Sequence, residues 1–148
     1  MTYLYLVLAA LLSLSSTVAS AESLSVQCGE SEGWSYYFAG GLVPDNKAGF
    51  TEDAITDGKF TLVLDDQGEG DVLAVDASGR LTSAKAQGGK VIALGGARAW
   101  NWLLLYPDGT IENYALNLTS FKTAIWRNTV GNENVAKNML MIADCVLQ

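Results

Sequence analysis

The sequence predicts an all-β domain, a small antiparallel barrel or sandwich of about eight to ten short strands, and three observations carry that prediction. Beyond residue 59, short apolar stretches are separated by Gly, Asp and Asn clusters, and helical stripes are mostly missing. Their spacing, roughly eight to twelve residues, is that of sandwiches and barrels. Phe60, Leu62 and Leu64 alternate with Lys59, Thr61, Val63 and Asp65, which puts the even positions on the core side of a strand. Pro107-Asp108-Gly109 is a turn with a mechanism: proline presets φ, aspartate bonds the backbone ahead and glycine takes the left-handed position.

Taken along the chain, strands are expected near 24–28 and 34–39. Residues 42–57 contain Pro44, Asp45, Asn46 and Gly49 and read as a long connection with one short strand at 54–56. Strands 59–65 and 71–76 then form a hairpin across the Asp-Gln-Gly-Glu-Gly sequence of 66–70. Strands 80–86 and 90–94 follow, punctuated by Gly79, Gly88-Gly89 and Gly95-Gly96, each able to supply positive φ. The Pro107 turn pairs 98–106 with 110–118, and 121–127 comes next. In the last segment Val135, Met139 and Ile142 would suit a helical stripe. The unbroken apolar run 139–142 and the alignment of Cys145 with Cys28 favour a strand at 138–146.

Composition bounds the function. With 148 residues, 49% of them apolar, 16 acids, 9 bases, no histidine and two cysteines, the chain has room for one small domain. Without histidine there is no imidazole base and none of the usual nitrogen ligands for zinc or iron. Residues 1–21 carry no charged side chain, and an apolar run at 3–12 precedes several serines and the small-x-small sequence Ala19-Ser20-Ala21. This layout is a secretory signal peptide, with Glu22 opening a mature domain of 22–148. An uncleaved anchor is the weaker reading, because the run is shorter than the ~20 residues of a spanning helix. All 25 charged residues follow residue 21, so the net charge of −7 belongs to the mature domain. Nucleic acid and stable membrane insertion are therefore not expected, whereas a basic partner is compatible. In an oxidising compartment Cys28 and Cys145 are expected to form a structural disulfide joining the chain ends. There is no C-x-x-C spacing to suggest a redox role.

Candidate sites are few. Asp65, Asp66, Glu69 and Asp71 concentrate oxygen ligands and raise a calcium alternative, although their spacing matches no EF-hand, and hairpin loops collect solvated acids anyway. As a glycosidase pair they would need a cleft and a raised pKa. Trp34 with Tyr36, and Trp100, Trp102 and Tyr106 along one strand face, offer aromatic surfaces that could bind a ligand or partner; core packing is the plainer use of the same residues. Ala99, Asn101, Leu103 and Leu105 make the opposite face of that strand apolar too, so a loop such as 42–57, a second copy or a partner is expected to cover it. There is no G-x-S-x-G elbow, phosphate loop or dinucleotide fingerprint, and Ser83 with Lys85 reads as ordinary strand polarity.

The leader, the early cysteine, the aromatic group 34–38, Gly41-Leu42-Val43-Pro44, the Gly49-Phe50-x-x-Asp53-x-Ile55 stretch and the terminal cysteine together resemble small exported proteins of proteobacteria. That resemblance implies a periplasmic or secreted setting and transfers no catalytic residue. In overall architecture the chain is also similar to periplasmic lysozyme inhibitors, small acidic disulfide-bonded barrels that bind a basic enzyme, though their loop motifs are not matched here. The expected function is a non-enzymatic, cofactor-free binding domain for an envelope protein or a small apolar or aromatic ligand. The alternatives are an inhibitor of a basic hydrolase and, further off, a carboxylate- or metal-dependent hydrolase.

Overall fold

The computed structural model describes residues 23–75, 79–129 and 134–148. The expected leader, its cleavage point and the last residue of the expected 71–76 strand lie outside these segments. The described chain is all-β: β1 (Leu24–Tyr37), β2 (Gly49–Ile55), β3 (Lys59–Leu64), β4 (Gly70–Val75), β5 (Leu81–Ser83), β6 (Lys90–Gly95), β7 (Ala99–Leu105), β8 (Ile111–Asn117), β9 (Lys122–Thr129) and β10 (Lys137–Leu147), with a single 3₁₀ turn at Asp45–Lys47.

All pairings are antiparallel. In the order β5-β4-β3-β1-β10-β9-β8-β7-β6 the strands nearest the two chain ends, β1 and β10, pair in the middle of the sheet, and β2 adds to the far half of β1. The sheet curls so that β4 approaches β6 without a ladder between them, leaving a half-barrel with one open seam. Gly70 sets that approach: a Cβ there would lie 2.8 Å from the Ala93 methyl and 2.9 Å from the Trp102 ring.

The expected hairpins form, including β7–β8 around the Pro107 turn, where Gly109 has φ 85°. The last segment is a strand, as the cysteine alignment required. Two expectations are corrected. The strands expected at 24–28 and 34–39 are one long strand carrying a bulge between Cys28 and Ser31. Before the bulge Val26 and Cys28 face inward, and after it Ser31 and Ser35 do. The extra residue shifts the alternation by one and marks where β1 changes its neighbour from β3 to β2. The expected connection 42–57 holds a full strand, β2. As an edge strand with no buried residue, β2 lacks the one-sided hydrophobicity that announces a strand. Because β2 lies beside β1, it does not cover the outer face of β7.

One end of the half-barrel is packed. Leu62, Leu104, Leu116, Met141 and Val26 are fully buried around Trp102, whose exposure is 0%. The Trp102 Nε1–H donates to the Val63 carbonyl at 2.8 Å, tying β7 to β3 through the interior and satisfying the indole. Cys28 and Cys145 stand opposite each other in the β1–β10 register and form the expected disulfide, with Cα atoms 4.0 Å apart. The Thr123 hydroxyl packs 2.9 Å from the Cys145 sulfur. The bridge closes the loop between the sheet's two central strands.

Candidate functional site

Packing stops partway along the barrel. β3 starts and β4 ends near the level of Cys28, while β1, β10 and β9 run on, and the interior widens into a cavity of about 690 Å³. Its apolar wall comprises Phe60, Val72, Ala74, Ile125 and Met139, and its rim includes Lys59, Gln87, Pro107 and Asp108. The volume falls within the roughly 300–1,000 Å³ of small-molecule sites, and barrel mouths are a common place for them.

Besides the buried Ser31 and Thr110, the wall carries a charged group. Glu112 on β8 and Arg127 on β9 are cross-strand neighbours, with Arg127 Nε 3.0 Å from Glu112 Oε1. Tyr114, two residues along the same strand face, donates its hydroxyl to Glu112 Oε2 at 3.0 Å, and Tyr106 donates to the same oxygen at 3.4 Å. Glu112 is only 6% exposed, so these partners offset the desolvation of its charge. Burial, reinforced by the negative charge of Glu112, pushes the Tyr114 and Tyr106 hydroxyls well above their ordinary pKa. Both phenols therefore stay neutral donors to the carboxylate, and each keeps a lone pair. Phe60 packs on Tyr114 with ring centroids 5.2 Å apart, joining the apolar wall to the polar group. At the rim, the Thr110 backbone N–H donates to Asp108 at 2.9 Å and holds that carboxyl below its usual range.

A second polar group lies where β1, β2 and β10 run beyond the barrel. Asp53 Oδ2 accepts from Ser35 (2.7 Å), Tyr37 (3.2 Å) and Lys137 (3.1 Å). Partial burial raises the Asp53 pKa, but the Ser35 and Lys137 hydrogen bonds and the lysine charge outweigh it and leave the group lowered. Lys137 also sits 5.2 Å above the Tyr37 ring centre. The other Asp53 oxygen, Oδ1, accepts the Ala54 backbone N–H, so the group fastens β2 to β1 and β10.

The structure separates the residues that the sequence grouped. Trp102 is wholly in the packed end, and Trp100 leans on it with ring centroids 6.1 Å apart. Of that strand face only Tyr106 reaches the cavity. Trp34 and Tyr36 point to the outer face of the sheet, away from the cavity. Of the acidic loop, Asp65 accepts the backbone N–H groups of Gln67 and Glu69, Glu69 pairs with Lys85, and Asp71 accepts the Ser83 hydroxyl. Among the described residues no three acidic or cysteine side chains converge as a metal site. Glu112, Arg127 and Tyr114 were missed because nothing local distinguishes them: Glu112 sits in an Ile-Glu-Asn-Tyr alternation that reads equally well as a solvated face.

No protein-family model, no curated protein and no solved structure matches the chain.

Proposed function

We propose that this protein is a non-catalytic, exported carrier or sensor of a small, mainly apolar molecule with a polar head, held in the mouth of the half-barrel. The observation that carries this reading is the cavity itself: a hollow of about 690 Å³ whose wall joins an apolar patch of Phe60, Val72, Ala74, Ile125 and Met139 to the Glu112–Arg127–Tyr114 group. The ligand's body would replace water against Phe60, Val72, Ala74 and Met139, and its head would meet the Arg127 guanidinium and the phenol oxygens. A carrier rather than an enzyme is favoured by the absence of histidine and by Glu112, whose oxygens are engaged by Arg127, Tyr106 and Tyr114. The leader-like residues 1–21 and the disulfide favour export. Among the described residues no helix is long and apolar enough to cross a membrane.

The test uses 8-anilinonaphthalene-1-sulfonate, a rigid aromatic body with an anionic head. One molecule should bind per chain with a rise in fluorescence, and Ala74→Trp, which fills the hollow, should abolish binding while the fold persists by circular dichroism. Unchanged binding to a folded Ala74→Trp variant would place the dye elsewhere and end the proposal.

A further inference from the structure

The outer face of β2, β1, β10 and β9 is apolar where a sheet face in contact with water is normally polar. The register aligns Glu52, Trp34, Leu140 and Trp126 in one row across the four strands, and Ala54, Glu32, Ile142 and Ala124 in the next. Trp34 is 53% exposed, Leu140 56% and Trp126 38%. At strand spacing the two indoles stand roughly 10 Å apart. A shallow groove runs past Glu32, Trp34, Glu52 and Ile142.

The charge on this face is one-sided. Glu32 and Glu52 flank the Trp34 indole, one two residues before it on the same strand and one directly across. Among the described residues neither has a Lys or Arg in ion-pair contact. The one base facing outward on these strands, Lys122, is already paired with Asp144 at 2.6 Å. A second copy docked with its two-fold axis at Trp34 would set these carboxylates against their own equivalents, at a repulsive cost. Anionic headgroups would meet the same repulsion. The chemistry that complements the face is a cation beside apolar side chains.

We infer that this face docks a basic protein segment, with a Lys or Arg side chain stacked on Trp34 between Glu32 and Glu52 and an apolar neighbour covering Leu140 and Trp126. The site lies on the opposite side of the sheet from the cavity and does not depend on it. The probe is an alternating lysine–leucine octapeptide titrated into the purified protein and followed by tryptophan fluorescence, with a glutamate–leucine octapeptide as control. The lysine peptide should bind, more weakly as salt rises, and the control should not. The Glu32→Gln/Glu52→Gln pair should weaken binding by about tenfold or more, since two charge contacts are lost. Trp34→Leu should weaken it roughly fivefold through loss of the cation–π contact. Glutamine is isosteric with glutamate and leucine keeps an apolar side chain at the exposed position 34, and circular dichroism checks that the variants fold. Absence of binding, equal binding of the control, or binding indifferent to the paired glutamine substitutions would each overturn the inference. So would sedimentation showing a dimer that Trp34→Leu dissociates.

Discussion

The two ends of this half-barrel are built from the same strands and behave oppositely. At the closed end, inward positions of β3, β7 and β8 carry Leu62, Leu64, Trp102, Leu104 and Leu116, all buried. At the open end the next inward positions on the same strands are Phe60, Tyr106, Glu112 and Tyr114, and they surround space. The exchange of aliphatic residues for an acid and two phenols, together with the early stop of β3 and β4, turns a core into a pocket. A single sheet can thus separate stability from binding along its own axis, so substitutions at the two ends should differ in kind as well as in size.

The largest effect is expected at the closed end. Trp102→Ala empties the centre of the core and removes the indole bond to the Val63 carbonyl, and should cost about 3–5 kcal/mol in urea unfolding. Tyr106→Ala, on the cavity wall, should cost well under half of that while impairing dye binding. Equal costs would erase the distinction between the ends. Next in size, replacing Cys28 and Cys145 together by serine should cost about 2–5 kcal/mol, because the bridge restrains nearly the whole described chain in its denatured state. It should leave dye affinity unchanged wherever the variant remains folded. Tyr114→Phe removes one hydroxyl-to-carboxylate bond and should cost about 1–3 kcal/mol, with a larger relative change in binding than either closed-end variant.

Much of this fold was legible in advance, for physical reasons that also mark where legibility ends. Phe60-Leu62-Leu64 and the Pro107-Asp108-Gly109 turn act within a few residues, so their geometry is written locally. The β1 bulge is not, since one added residue between Cys28 and Ser31 reverses the alternation and makes one strand look like two. The edge strand β2 hid for want of a buried face. The polar wall of the cavity was the least visible part. A buried Glu112 becomes intelligible only when Arg127 arrives from the adjacent strand and Tyr106 from the turn of its own β7–β8 hairpin, and such partners are set by register.

Two smaller effects sharpen the same contrast. Tyr106 and Tyr114 have folded-state pKa values raised above the unfolded value near 10. Between the two values the native state holds more protons than the unfolded one, so this contribution to stability is complete below about pH 10 and is lost as pH rises. Absorbance of tyrosinate at these residues should appear together with unfolding, and Tyr106→Phe/Tyr114→Phe should flatten the alkaline limb. The smallest effect belongs to the outer face: Leu140→Thr, at a half-exposed position remote from both ends, should change stability by no more than about 0.5 kcal/mol and leave dye binding intact.

Methyl-resolved NMR during titration with 8-anilinonaphthalene-1-sulfonate tests the division of the barrel most directly, because each end supplies its own reporters. The Met139 and Ile125 methyls, which line the hollow, should shift and saturate with one equivalent of dye, while those of Leu64 and Leu116 in the closed end stay in place. Shifts spread over both ends, or confined to Leu140 and Ile142 on the outer face, would contradict a barrel that is packed at one end and receptive at the other.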